Sequence, residues 1–168
     1  PNPPALTWAW DHAAGSPSND PEAKQKTLVW VHGWRMDYNE YQSWADTSYK
    51  RLWQLGYKGK FYAFRWPTYS AENDGYPNID PSIDGGTTYN RSEYRAWLSG
   101  PALANFVNQL PNGNARYLMA HSMGNVVAGS ALKSGMIVTK YALCNAAMAA
   151  QAYDGQHNDS PDNDYSTP

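Results

Sequence analysis

The stretch YLMAHSMGNVVAGSAL, residues 117–132, decides how the chain is read. An apolar run leads into His121, and beyond Ser122-Met123-Gly124 small residues follow at helical spacing until Gly135. Strand, tight turn and helix therefore meet at a serine. A turn of the form small-x-Ser-x-Gly holds its serine in a strained backbone conformation that points the hydroxyl away from the sheet. Its flanks, here Ala120 and Gly124, must be small because strand and helix pass close together. The same turn leaves the Met123 amide at a helix N-terminus, where no intrahelical acceptor awaits it.

Outward from this turn the chain alternates strands with helices. TLVWV, residues 27–31, is a short apolar run bounded like a buried strand and closed by His32-Gly33. Asp37 and Glu40 form a capping box, and apolar residues at Tyr41, Trp44 or Ala45, Ser48 or Tyr49, and Leu52 predict a helix ended by Gly56. KFYAFRW, residues 60–66, is the next strand, stopped by Pro67. Residues 68–89 read as a long loop. A second capping box at Asn90 and Glu93 predicts a helix through Tyr94, Trp97, Phe106 and Leu110, with a kink or restart at Pro101. ARYLMAH, the serine turn with its helix, and one more strand in TKYALC complete the series, and TWAWD near the start reads as a short edge strand. Crossovers of this length make a parallel sheet with helices on both faces, an α/β fold. The expected organisation is an N-terminal linker and edge segment over 1–26, a core over 27–152, and a polar tail over 153–168.

A net charge of −2 offers no electrostatic case for nucleic acid, and no apolar run approaches the ~20 residues that would span a bilayer. The Pro-rich start lacks the basic and apolar parts of a signal peptide, so a mature or excised segment is expected. The 8 Trp and 13 Tyr against 3 Phe, with little charge, suit an extracellular or cell-surface protein. A lone cysteine, Cys144 in an apolar stretch, is expected to be an inert core thiol.

His32-Gly33-Trp34 ends a buried strand and precedes a helix, so a following amide is able to face the serine turn. The amides of Trp34 and Met123 are the expected pair of donors to an oxyanion, each worth about 3 kcal/mol in a transition state. With Val31-His32-Gly33-Trp34 and Ala120-His121-Ser122-Met123-Gly124 on strands of a parallel sheet, a strand and two helices apart, the chain resembles the α/β-hydrolase superfamily on its lipase and esterase side, across roughly residues 27–150. The resemblance implies a reduced three-layer α/β/α sandwich of about four to five strands and a nucleophilic Ser122. It also implies an insertion at 68–97 that shapes the substrate site, and ester cleavage through an acyl-enzyme without a cofactor or metal. The implied partner is a small-molecule or lipid ester; the oligomeric state is left open.

The expected triad order is serine, acid, histidine. Of the four histidines only His157 follows Ser122, with Asp154 between them as the acid and Asp159 as its rival. His32 and His121 belong to the motifs and are expected to pack nearby without acting as base, and His12 lies upstream. Tyr69, Tyr76 and Tyr89 are candidates to line an acyl or sugar pocket, or equally to cover the core edge. Asn158–Asp164 is oxygen-rich, yet it lacks the glycine and final glutamate of a calcium loop and reads as a solvated tail. The alternative to a working esterase is a truncated or degenerate hydrolase domain with an intact serine turn and little activity. A carbohydrate-binding module would need neither motif.

Overall fold

A computed structural model describes residues 9–12, 24–68, 87–111 and 114–148. Five strands form one sheet: β1 (Ala9–His12), β2 (Lys26–Val31), β3 (Lys60–Arg65), β4 (Ala115–His121) and β5 (Lys140–Cys144), in the order β1-β3-β2-β4-β5. The last four are parallel, and β1 closes one edge antiparallel to β3. Three helices connect the parallel strands: α1 (Tyr38–Gln54), α2 (Thr87–Gln109) and α3 (Gly124–Lys133).

The period-two alternation of strands sorts side chains to two cores. Leu28, Trp30, Phe61 and Ala63 face α1, where they meet Tyr41 and Ala45. Val29, Val31, Phe64, Leu118 and Ala120 face the other way, onto Leu103, Ala104 and Val107 of α2 and Val126, Val127 and Ala131 of α3. This is the expected three-layer sandwich in reduced form. In α1 the alternative settles on Ala45, which is buried, while Trp44 is 54% exposed. The Asp37 box is formed, with the Glu40 amide donating to Asp37 and the Asp37 amide to Glu40, and Gly56 follows the helix at φ 99°.

For α2 the expected capping box is corrected, and of the two alternatives at Pro101 the restart is excluded. The helix begins at Thr87, so Asn90 lies inside its first turn and is not a cap. It also runs through Pro101 without a restart. Proline removes the N–H that would bond the carbonyl four residues back, here that of Trp97. That carbonyl finds a donor on another helix, because the Ser130 hydroxyl of α3 bonds it at 2.6 Å. Gly100 makes this possible, since a Cβ there would fall 2.6 Å from the Ser130 carbonyl carbon. Cys144 is likewise corrected from core to half-buried, because β5 forms the sheet edge among the described residues.

Ser130→Ala should cost about 1–2 kcal/mol in urea unfolding, the penalty for an orphaned carbonyl. In a Pro101→Ala background the restored amide satisfies Trp97, and most of that cost should disappear; an equal loss in both backgrounds would refute the compensation.

Candidate active site

The sheet order places a switch between β2 and β4. From β2 the chain moves to one side through α1 and β3, whereas from β4 it moves to the other through α3 and β5. A crevice opens beyond the C-terminal strand ends at such a point, and ligands of open α/β sheets bind there. Val31 pairs in register with Ala120, so the two motifs leave the sheet side by side. Both loops expected to carry chemistry thus lie at the one position where the topology provides a cleft.

Ser122 stands at φ 52° between β4 and α3. A left-handed conformation in a residue other than glycine costs on the order of 1–3 kcal/mol and persists only where its surroundings enforce it. The enforcement is visible. The Ser122 amide donates to the Cys144 carbonyl at 2.9 Å, tying the turn to the end of β5. The Ser122 carbonyl accepts from the amides of Asn125, at 3.0 Å, and Ala147, at 3.2 Å. Two glycines allow the close approach. A Cβ on Gly124 would meet the main-chain oxygen of Val31 at 2.8 Å, and one on Gly33 would meet Ser122 Cβ at 3.0 Å. Among the described residues the Ser122 hydroxyl and the main-chain amides of Trp34 and Met123 have no hydrogen-bond partner. Met123 itself is fully buried at the N-cap of α3, so the positive end of that helix faces the turn.

The loop after β2 is held from the β3 side. Trp66, immediately beyond β3, donates its main-chain N–H to His32 Nε2 at 3.2 Å and its indole N–H to the His32 carbonyl at 2.8 Å. The two rings stack with centroids 5.3 Å apart. Since Nε2 accepts, Nδ1 carries the proton, which it donates to the Gly33 carbonyl at 2.7 Å. Burial holds the His32 pKa down at about 4, against the bond from Nδ1 to the Gly33 carbonyl, which favours the charged form. Both nitrogens are engaged and the ring is fully buried, so His32 fixes the loop and takes no part in proton transfer. Further along, Arg35 has φ 57° and donates its amide to Thr68 Oγ1 at 2.8 Å.

Trp34 leans toward α2. Its indole N–H donates to the buried Ser92 hydroxyl at 3.0 Å, and Tyr89 packs edge-on against it at 5.1 Å. The candidate pocket residue Tyr89 is therefore joined to the candidate oxyanion loop. His121 is half-buried and parallel to the exposed Trp44, with centroids 6.3 Å apart and planes at 8°. Tyr69, Tyr76, Asp154, Asp159 and His157, and the oxygen-rich stretch 158–164, lie outside the described residues. Among the described residues no cluster of three or more His, Cys, Asp or Glu is placed to hold a metal, and no helix is long and apolar enough to cross a membrane.

Asn125 and Trp66 were missed by sequence reading. Asn125 did carry a signal, being the polar residue in the otherwise small and apolar run NVVAGSAL, but nothing pointed from Trp66 to His32.

Four parallel strands with helices between them, a strained serine at the switch point and a glycine loop against its Cβ define the chain as an α/β protein with a strained strand-to-helix serine turn. Comparison with protein families matches residues 28–163 to the alpha/beta hydrolase family, and the chain belongs to that family. A search of curated proteins returned no match.

The lowered His32 pKa has a thermodynamic consequence. Unfolding returns the ring to its ordinary value of 6.5, so between about pH 6.5 and 4 the unfolded chain binds the additional proton. Stability from this residue is therefore complete above that window and falls as pH drops through it, by about 3 kcal/mol. Urea unfolding of wild type should show this slope, and His32→Gln should lack it.

Proposed function

We propose that the chain is a serine ester hydrolase that works through an acyl-enzyme at Ser122. Family membership supports hydrolysis as the general class of chemistry and a small molecule as substrate. The observation that carries the finer reading is the Ser122 backbone, at φ 52° where β4 turns into α3, with Gly33 pressed against its Cβ. Strain of this kind has a use if it aims the hydroxyl into the cleft.

In this reading Ser122 Oγ attacks the ester carbonyl carbon and gives its proton to a histidine base. The carbonyl oxygen becomes an oxyanion, received by the amides of Trp34 and Met123. Collapse expels the alcohol, which takes that proton, and water then releases the acid by the same steps in reverse order. Both donors are suited to the task, since among the described residues their amides have no acceptor and one stands at a helix N-terminus. His157 is our candidate for the base and Asp154 for its acid. His32 is unsuited because its ring is locked, and the family match extends to residue 163, across both candidates. Tyr89, with Tyr69 and Tyr76, is proposed to line the acyl side. A lipid or small ester outside the cell is the substrate expected from the aromatic, weakly charged composition.

The alternative reading is a hydrolase domain of little activity, in which the serine turn lacks its base. A serine turn without its base still retains a residual rate of ~10³-fold over water from oxyanion stabilisation and binding.

A fluorophosphonate probe should label wild type and leave Ser122→Ala unlabelled; equal labelling of the two would remove Ser122 as nucleophile. Hydrolysis of p-nitrophenyl esters should fall at least about a hundredfold in His157→Ala if His157 is the base, the usual scale of general-base loss. An unchanged rate would favour the second reading or a different base.

A further inference from the structure

The tightest polar cluster in the described chain lies directly beneath the serine. Asn125, the second residue of α3, is fully buried. Its Nδ2 donates to the Ser122 carbonyl at 2.8 Å and approaches the Cys144 carbonyl at 3.5 Å. The Tyr141 hydroxyl of β5 donates to Asn125 Oδ1 at 2.6 Å. Two main-chain oxygens face one end of the amide and neither is able to donate, so only the NH2 group fits there. The oxygen must then point to Tyr141, whose hydroxyl fixes the amide against flipping.

We propose that Asn125 is a positioning residue for the nucleophile: its amide, oriented by Tyr141, clamps the Ser122 and Cys144 carbonyls together and so holds the serine turn against the exit of β5. The proposal rests on Ser122 being the nucleophile. Four facts support the clamp over simple packing. The Ser122 carbonyl takes three donors, from Asn125 N, Asn125 Nδ2 and Ala147 N. The Ser122 amide bonds the same Cys144 carbonyl that the Asn125 side chain reaches. The chain leaves β5 through Asn145 at φ 44°, a second left-handed residue beside the first at Ser122. Finally, a polar amide is buried in a helix whose neighbours Val126, Val127 and Ala128 are all core residues, which is costly unless its groups are bonded. Released from the clamp, Ser122 would be free to relax toward an ordinary conformation and move its hydroxyl out of the cleft.

The test uses p-nitrophenyl acetate as substrate, with rates expressed per site titrated by a fluorophosphonate. Asn125→Ala should lower kcat about tenfold with KM unchanged, since the amide lies behind the serine and away from substrate. Tyr141→Phe should lower kcat about threefold in the wild-type background and not at all in Asn125→Ala, if the hydroxyl acts on the serine through the amide it bonds. Hydrogen exchange at the Ala147 amide should accelerate in both variants while the core strands keep their protection. Unchanged kcat with unchanged exchange overturns the assignment, as does a Tyr141→Phe effect that simply adds to that of Asn125→Ala. If wild type takes no probe, the nucleophile reading fails and exchange alone decides: faster Ala147 exchange keeps the clamp, and none sinks it. Should Asn125→Ala fail to fold, Tyr141→Phe carries the test by kcat and exchange.

Discussion

A methyl group on Gly124 would collide with the main-chain oxygens of His32 and Val31, and one on Gly33 would press on Ser122 Cβ. The exits of β2 and β4 are therefore in main-chain contact, and the rest of the site depends on that closeness. Parallel pairing of Val31 with Ala120 brings the exits level, and the small residues let them touch. The order of strands then sends the two chains apart, which opens the cleft at the same place. Neither glycine serves flexibility here, because each marks a point where two backbones leave no room for a side chain.

Each exit is braced from its outer side. The β2 exit is tied to the end of β3 by Trp66, which bonds both the ring and the carbonyl of His32, and by Thr68, which takes the Arg35 amide. The β4 exit is tied to the end of β5 by Cys144, Ala147 and the Asn125 amide. The two left-handed residues flanking the cleft, Arg35 and Ser122, are each paired with such a tie. Strain at a functional turn is tolerable when surrounding bonds over-determine it. Here those bonds run sideways across the sheet, from the end of β3 to the end of β5.

The sheet and its two faces were legible because local rules and tertiary outcome agree. TLVWV, KFYAFR and ARYLMAH carry the right composition and length, and the Asp37 box starts α1 where the pattern places it. Local rules stop short where the deciding partner is remote. Pro101 allows a kink or a restart by local rules, and the carbonyl it orphans is met by a hydroxyl 33 residues away along the chain from Trp97. Asn90 and Glu93 match a capping box in spacing alone, and the helix had already begun at Thr87. The serine turn was legible as a turn, since it demands small flanks and a following helix. An acid or base to serve it was not, because the sequence after TKYALC carries no periodicity that would place one.

His32 shows how a residue type can mislead about chemistry. A histidine beside a strained serine invites the role of base, but its ring lies sealed between Trp66 and Tyr41. Its Nδ1–H is spent on Gly33 and its Nε2 on the Trp66 amide, so no lone pair is left to accept a proton from Ser122. The burial that lowers its pKa to about 4 also keeps it neutral at physiological pH, which favours a fixed hydrogen-bonding wedge over a proton shuttle. The ring therefore sets the path of the Gly33-Trp34 backbone. A base for Ser122 therefore has to be a residue other than His32.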